Sequence, residues 1–265
     1  MNKRSLTVSR IVGGLAVLLA IGFTALRTYM MLTAYDVENG FYTNDVLRGV
    51  LRYTLIAFAA IAFALGHIYI KEGKIADPLP ESKGLKFVSM FVGCVLGGFL
   101  LYTIGKSLLP MFADPGIADL VMAALAVIAM LYYFSFGKKG DFRSLLCLAS
   151  ALVLLAMVFG LYFNKHISYV NHSVILAYAA AIFTMLAFTA EANFFLKKSA
   201  YKRYLSYAPV AIVLSFVLAI PDILFGILRG AAAISDIYYD VLLLAFGIYH
   251  SARLAVLILQ PAKEA

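Results

Sequence analysis

Eight long apolar segments follow one another along this chain of 265 residues, separated by short polar connections. Each has about 20 to 25 residues, enough to cross the ~30 Å hydrocarbon layer of a membrane as an α-helix. A hydrophobic fraction of 63% agrees with this and lies well above that of a soluble domain. We therefore predict an all-α fold, a polytopic membrane bundle of eight transmembrane helices with short loops, as a single integral-membrane domain over residues 1–265. The predicted spans are residues 11–33, 48–70, 87–109, 117–137, 144–163, 173–196, 205–229 and 235–259.

The positive charges are concentrated at alternate connections. If the N-terminus lies in the cytoplasm, 16 of the 22 Lys and Arg residues fall on the cytoplasmic side and the other six on the opposite, outer side. Short cytoplasmic loops of membrane proteins carry such an excess of positive charge. We predict an integral protein of the bacterial cytoplasmic membrane with both the N- and C-termini in the cytoplasm.

The formal net charge of +8 comes from small clusters of Lys and Arg at the span ends. Such clusters contact the anionic headgroups of the lipid bilayer, whereas nucleic-acid binding needs a basic stripe or face. The predicted partners are therefore lipids and no nucleic acid, and the sequence does not indicate an oligomeric state. Both cysteines, Cys94 and Cys147, fall inside predicted spans, so neither a disulfide nor a thiolate metal site is expected.

Tryptophan is absent, so we expect tyrosines to form the aromatic belt at the membrane interfaces. The tyrosines assigned to this belt lie near predicted span ends and are Tyr35, Tyr42, Tyr69, Tyr132, Tyr133, Tyr162, Tyr169, Tyr201, Tyr204, Tyr238 and Tyr239.

Small residues predict where the helices approach one another, because helices in lipid associate through close backbone contact. In the third span, Gly93 and Gly97 form one pair at four-residue spacing, and Cys94 and Gly98 form an overlapping pair. On the sixth span, small or polar residues recur on one face, which should touch another helix. The members of this stripe are Ser173, Ala177, Ala180, Thr184, Ala187 and Glu191.

Charged residues also lie near the outer ends of four predicted spans, and they are Arg27, Arg48, Arg52, Asp222, Asp236 and Asp240. Charges within spans usually face the bundle interior and are often functional. Asp222 follows Pro221, which cannot donate to the carbonyl of Val217, and transporters use a freed carbonyl beside a carboxylate for a cation or a proton. We predict an outward-facing polar vestibule that binds a ligand through these six residues, with Asp222 paired to Arg27 or Arg52. A purely structural salt-bridge network is the alternative.

The connection before the second span, residues 35–45, is acidic and aromatic and contains no Lys or Arg. Its Asn39-Gly40 pair is a strong turn signal. We expect a short re-entrant cap over Arg48 and Arg52, so that the charges of the loop and of the helix start neutralise each other. A calcium site is the alternative, although the spacing of the carboxylates is not that of an EF-hand loop.

A second polar layer lies nearer the cytoplasmic side and contains His67, Glu191 and Arg253. Glu191 and Arg253 have similar depth and opposite charge, which predicts an ion pair between the sixth and eighth spans. The alternative is that Arg253 snorkels to the headgroups and Glu191 sits at the membrane boundary. His67 and His250 lie on different helices at different depths, so a haem or metal shared between them is not expected.

Recognisable catalytic motifs are missing, since the sequence has no His-Glu-x-x-His, no Gly-x-Ser-x-Gly and no phosphate-binding lysine loop. No catalytic residues, cofactor or metal are therefore predicted. The function we favour is a small permease or a membrane binder of a ligand or lipid headgroup, and the arginines suit an anionic or zwitterionic ligand. One alternative is a non-catalytic membrane subunit that assembles with partner proteins. The other is an intramembrane enzyme that acts on a lipid through Asp222, Asp236 and Asp240.

The predicted orientation can be tested by thiol labelling. In a background where Cys94 and Cys147 are serine, Asn39→Cys should react with a membrane-impermeant reagent in intact cells, and Ser82→Cys should not. If only the Ser82→Cys variant were labelled, the predicted orientation would be wrong and both termini would lie outside the cytoplasm.

Overall fold

The computed structural model of the chain describes residues 3–36, 41–69, 82–108, 116–135, 141–163, 172–196, 200–229 and 237–259. Eight α-helices account for nearly all of these residues: α1 Lys3–Ala34, α2 Asp45–Tyr69, α3 Lys83–Leu108, α4 Ile117–Phe134, α5 Asp141–Phe163, α6 His172–Phe195, α7 Tyr201–Arg229 and α8 Ile237–Ile258. All eight are long and apolar enough to span a membrane, which confirms the predicted eight-helix fold. Between α1 and α2, two short strands pair antiparallel, β1 Tyr35–Asp36 and β2 Phe41–Tyr42.

Helices α2 and α3 begin a few residues before the predicted spans, because polar side chains cap their first turns. The Asn44 side-chain oxygen accepts the backbone N–H of Leu47 at 3.1 Å, and the Ser82 hydroxyl oxygen accepts that of Leu85 at 3.0 Å. These contacts satisfy N–H groups that have no partner within the helix. Apolarity alone does not mark such ends.

Helices α3 to α8 pack in chain order, each against the next, and α8 returns to pack against α3. These contacts close a ring of six helices. Helices α1 and α2 pack against each other and against α7. Helix α7 therefore supports both the ring and the N-terminal pair, which explains why it is the most buried of the eight spans.

Glycines mark the closest helix contacts. Gly247 of α8 approaches α7 so closely that a Cβ at this position would lie 2.9 Å from the Cβ of Ser215. On α3, a Cβ at Gly93 would lie 2.8 Å from the Phe134 ring of α4, and Gly97 faces Met130 of the same helix. The predicted Gly93/Gly97 seam is thus the contact of α3 with α4.

The overlapping pair on α3 has a different environment. Cys94 is exposed, and a Cβ added at Gly98 would have no neighbouring atom within 4 Å. This second seam therefore faces away from the other helices of the described chain.

The stripe of small and polar residues on α6 is buried, which confirms the expected helix contact. It extends over about 27 Å from Ser173 to Glu191, at ~1.5 Å per residue. The stripe therefore runs from one side of the bundle nearly to the other. Its buried members are Ala177, Ala180, Thr184, Ala187 and Glu191.

Ala180→Phe should lower the melting temperature of the protein in detergent. Ala180 has no exposed surface, and an aromatic ring there would overpack a close contact at a cost of about 1–3 kcal/mol. Ile182→Phe is the matched control, since Ile182 lies on the same helix with 41% of its surface exposed. Equal melting curves for the two variants would mean that the stripe faces lipid.

Candidate functional site

Arg27 of α1 is completely buried near the end of the bundle where α1 meets the β-hairpin. Its Nη2 forms an ion pair with Asp222 Oδ1 of α7 at 2.7 Å and also donates to the Ser173 hydroxyl of α6 at 2.9 Å. Its Nε donates to the phenol oxygen of Tyr42 at 2.9 Å. The predicted pairing of Asp222 with Arg27 is confirmed, and we call these four residues the Arg27 cluster.

The remaining acceptors for Arg27 come from the turn of α7 before Pro221. Because proline has no N–H, the carbonyl of Val217 lacks its usual helical donor. Arg27 Nη1 donates to the carbonyl oxygens of Val217 and Leu218, at 2.8 Å and 2.6 Å. All five N–H groups of the guanidinium therefore have protein acceptors. The cation at the freed carbonyl is the side chain of Arg27, so the ion pair of Arg27 with Asp222 offers no unused donor to a ligand.

Tyr42 brings the connection between α1 and α2 over Arg27. It stands opposite Tyr35 in the hairpin, and the two rings are 5.4 Å apart. Burial raises the pKa of the Tyr42 phenol, and the nearby Arg27 guanidinium opposes this shift. The phenol is thus neutral near physiological pH. The expected cap exists as a β-hairpin, but it covers Arg27 of α1 instead of the arginines of α2.

The two arginines of α2 lie outside the Arg27 cluster. Arg48 pairs with Asp45 one turn earlier at 2.5 Å, and its side chain is about one-third exposed. Arg52 is exposed. The charges at the start of α2 are therefore partly neutralised locally, as expected, but Arg52 is not the partner of Asp222.

Of the remaining two aspartates of the predicted vestibule, the structure describes only Asp240. Asp240 of α8 is buried and lies close enough to Arg27 to interact with it electrostatically. Asp236 lies outside the described residues. Ligand binding by the six predicted residues stays a prediction. The structure brings Asp240 close to Arg27, whereas Arg48 and Arg52 lie away from both.

A second buried ion pair lies near the opposite end of the ring. Arg253 Nε of α8 donates to Glu191 Oε1 of α6 at 2.6 Å, and neither side chain has any exposed surface. The predicted pair between these helices is confirmed. The alternative, in which Arg253 reaches the headgroups and Glu191 the membrane boundary, is wrong.

Two tyrosines complete the surroundings of Glu191 Oε1. The Tyr249 hydroxyl donates to it at 2.7 Å, and the Tyr132 hydroxyl lies 3.0 Å away. The two phenol oxygens are 2.7 Å apart, in a contact where either hydroxyl can be the donor. Since each phenol carries one hydrogen, these three contacts share two hydrogens. Arg253 Nη2 also contacts the Tyr249 oxygen at 3.3 Å. We call these four residues the Glu191 cluster.

Arg143 of α5 packs beside this cluster. Its guanidinium lies 5.6 Å from the ring centre of Tyr132 and 4.9 Å from that of Phe195, distances typical of cation–π contacts. The side chain is buried. A second guanidinium therefore lies at the aromatic wall of the Glu191 cluster.

The other oxygen of Glu191 differs sharply from Oε1. Oε2 is buried and has no hydrogen-bond partner within the described part of the chain. The same is true of Nε2 of His250, whose Nδ1 is 3.1 Å from the Tyr204 hydroxyl, and of the hydroxyls of Thr184 and Ser215. An unpaired buried polar atom costs about 1–3 kcal/mol, and more when it is charged. Helices α6, α7 and α8 therefore carry several buried polar atoms that have no partner among the described residues.

His67 does not belong to the Glu191 cluster, contrary to the single inner layer that we expected. Its Nδ1 lies 3.1 Å from the Phe63 carbonyl oxygen of its own helix and 3.3 Å from the Ser206 hydroxyl of α7. Its ring also stacks on Phe63. His67 therefore helps to hold α2 against α7, because similar depth in the sequence does not imply the same face of a helix.

Tyrosines are the residues of the candidate site that sequence reasoning missed. Tyr132, Tyr133 and Tyr204 were assigned to the interface belt, but they are buried in the ring. A position near a span end fits both roles, so their assignment was wrong. The position of Tyr249 could have predicted its contact with Arg253. It lies within a span and one turn before Arg253, at the spacing that brings helical side chains together.

A double-mutant cycle tests the Arg27 cluster. Asp222→Asn should be destabilising, since removing one partner of a buried pair typically costs ~3–5 kcal/mol. Arg27→Gln should cost more, because it also leaves the carbonyl of Val217 without a donor. The double variant should recover part of the summed loss in melting temperature. Arg52→Gln should melt like the wild type, and strictly additive losses would contradict the pairing.

Within the described ranges, no group of three or more His, Cys, Asp and Glu side chains is arranged to hold a metal ion. Comparisons with protein-family models, with curated proteins and with solved structures found no match.

Proposed function

We propose that this integral membrane protein is a small permease of the bacterial cytoplasmic membrane, with its binding site inside the ring of α3 to α8. The site is centred on Glu191 Oε2. This proposal moves the site from the outer vestibule expected from the sequence to the opposite polar layer.

One observation carries the proposal. Glu191 Oε1 is surrounded by three donors, whereas Oε2 of the same buried carboxylate has none within the described chain. An ionisable side chain inside a membrane bundle is expensive, and it is a functional candidate by default. By contrast, every N–H group of the buried Arg27 has a protein acceptor. The bare oxygen is therefore best explained as the place for a ligand.

The chemistry of this oxygen selects among the ligands that we considered. Oε2 is a charged acceptor, so it favours a charged donor such as an ammonium group. A zwitterion such as an amino acid satisfies this requirement, and Nε2 of His250 is a second atom in the ring that lacks a partner.

The buried position of Glu191 requires the helices to move for a ligand to enter. The Arg27 cluster supports a gate at the outer end, because it joins α1 and the β-hairpin to α6 and α7 through one side chain. Opening at this end would separate Arg27 from Asp222. An alternating permease needs such a contact that can be made and broken.

A non-catalytic membrane subunit is the second candidate, and the exposed seam on α3 favours it. Cys94 and Gly98 are small residues that a helix of another protein can approach closely. In this reading the polar interior serves stability alone, and no solute would bind there. The enzyme alternative gains nothing from Asp222, whose carboxylate is held by Arg27, and we do not pursue it.

A thermal-shift panel distinguishes the two candidates. The purified chain is melted in detergent with each standard amino acid, with simple monocarboxylates and with simple primary amines. At least one amino acid should raise the melting temperature, because a ligand at 100 times its Kd adds about 2.7 kcal/mol to stability. Monocarboxylates should have no effect. Uptake of the stabilising amino acid into proteoliposomes then separates a permease from a binder.

Two variants locate the effect. Glu191→Gln should lose the shift produced by the amino acid, whatever its own melting temperature. Thr24→Val is the matched control, because it removes a buried, unpaired hydroxyl of α1 outside the ring. It should keep the full shift. If no compound in the panel stabilises the wild type, the subunit is the better account.

A further inference from the structure

We propose that Thr184 of α6 and Ser215 of α7 form a second, weaker site for the ammonium group of the solute, between the Arg27 cluster and Glu191. This proposal rests on the proposed function and adds an intermediate site to the path of the solute through the permease. Two observations carry it. Both hydroxyls are buried without a partner in the described chain, and both lie on helix faces that connect the two clusters.

The hydroxyls of Thr184 and Ser215 lack a bond that other helical hydroxyls of this chain make. Serine and threonine side chains within a helix can donate to the carbonyl oxygen four residues earlier, as those of Thr103, Thr189 and Ser251 do. Thr184 and Ser215 have no exposed surface, and their hydroxyls have no hydrogen-bond partner among the described residues. Their oxygens can therefore accept a hydrogen bond from a bound molecule.

The face of α7 that carries Ser215 runs from one cluster to the other. It begins at Tyr204, which contacts His250 beside the Glu191 cluster, and it reaches Asp222 in the Arg27 cluster. Its members recur at steps of three and four residues, so they lie on one side of the helix. All of them are buried, and they are Tyr204, Ala208, Ala211, Ser215, Leu218 and Asp222.

This face of α7 lies against the stripe of small and polar residues on α6. At one end, Ser173 and Asp222 both accept hydrogen bonds from the guanidinium of the Arg27 cluster. Further along, Ala187 packs in one apolar group with Ala208 and Ala211. The two faces therefore meet over most of the distance between the clusters.

Helix α8 forms the third side of this path. Gly247 brings its backbone close to α7, since a Cβ there would lie 2.9 Å from the Cβ of Ser215. The next turn carries His250, whose ring lies 4.4 Å from that of Phe188, one turn after Thr184 on α6. Nε2 of His250 also has no partner in the described residues. Polar atoms therefore continue from the two hydroxyls toward Glu191.

Thr184 and Ser215 lie at similar depth in the bundle. Ser173 and Asp222 mark one level, because both bind the same guanidinium nitrogen. At ~1.5 Å per residue along each helix, Thr184 lies about 16 Å from this level, Ser215 about 10 Å and Glu191 about 27 Å. Side chains lean toward the N-terminus of their helix. Because α6 and α7 run in opposite directions, the two hydroxyls lean toward each other.

The chemistry of the two hydroxyls suits a site that the solute passes through. Their oxygens carry no charge, so they attract an ammonium group less strongly than the carboxylate of Glu191 does. Without them, an ammonium group that leaves Oε2 toward the Arg27 cluster would meet only apolar side chains, at a high cost for a charge. Passage through a membrane protein needs sites that are favourable enough to enter and weak enough to leave. The hydroxyls therefore speed transport without setting the affinity at Glu191.

Initial rates of uptake into proteoliposomes test the intermediate site. Every standard amino acid is supplied in isotopically labelled form to the full chain, and an amino acid that the wild type takes up is then given to Thr184→Val and Ser215→Ala. Each variant should take it up about tenfold more slowly or worse, the loss expected for one hydrogen bond to a charged group. Thr184→Ser keeps the hydroxyl and should keep most of the rate.

Two further measurements separate this effect from damage to the fold or to the Glu191 site. The rise in melting temperature that the same amino acid causes should persist in Thr184→Val, because Glu191 is unchanged. Thr184→Val should itself melt no lower than the wild type, since valine has the shape of threonine and removes an unsatisfied buried hydroxyl. Thr189→Val is the matched control. Thr189 is exposed on the same helix and donates to the Met185 carbonyl, so this variant should transport like the wild type.

The outcomes distinguish the two proposals. Uptake at the wild-type rate by both Thr184→Val and Ser215→Ala would overturn the intermediate site and leave the permease standing. So would a lower melting temperature of Thr184→Val, which would show that its hydroxyl is bonded within the protein. Loss of the thermal shift in step with uptake would place the hydroxyls in the Glu191 site itself, and no separate site would remain. If the wild type takes up no amino acid, the proposed function fails and the intermediate site fails with it.

Discussion

The structure depends on the requirement that charges buried in a membrane bundle find partners within the protein. Two ion pairs meet this requirement, Arg27 with Asp222 and Glu191 with Arg253. The first joins α1 to α7, and the second joins α6 to α8. Because losing either partner leaves an isolated charge in a medium of low dielectric constant, these pairs restrict which helix faces can meet.

The two pairs differ in how completely their polar atoms are used. The Arg27 guanidinium has five N–H groups and five acceptors, two of them carbonyls on the turn before Pro221. Such a group has nothing left to offer another molecule. The Glu191 carboxylate instead accepts all its described hydrogen bonds at one oxygen, Oε1. The first pair therefore has no free donor for a ligand and the second has a free acceptor, although both looked alike as buried charges in the sequence.

Much of the fold could be predicted because span length and apolarity are set by the bilayer itself. The ion pairs were predictable for a related reason, since charges of opposite sign at similar depth have few other partners. The buried tyrosines were not, because Tyr132 and Tyr204 lie near span ends, where a phenol suits either an interface or an interior. Depth can be read from the sequence. The face that a side chain presents depends on how each helix rotates in the bundle, and this is why His67 was grouped with the wrong residues.

The prediction of a cap between α1 and α2 was only partly right, again because the sequence does not show which way a helix face points. The turn signal at Asn39-Gly40 and the acidic composition predicted a cap. Residues 37–40 lie outside the described chain, but the strands on either side pair and bring Tyr42 to Arg27. Its target was wrong because the nearest arginines in sequence, Arg48 and Arg52, lie on an outward face of α2. Arg27 is reached because the chain reverses directly after α1 and brings Tyr42 back over that helix.

The separation of Arg27 from Asp222 has a consequence for biogenesis. The two residues are 195 positions apart, and at a synthesis rate of ~5–20 residues per second Asp222 follows Arg27 by about 10–40 s. During this interval Arg27 has neither its carboxylate nor the carbonyls of α7, and such a long side chain can stay hydrated by extending toward the nearer headgroups. Helix α1 is thus inserted early but reaches its final position late. Docking of this guanidinium on the turn before Pro221 cannot occur until α7 has been synthesised.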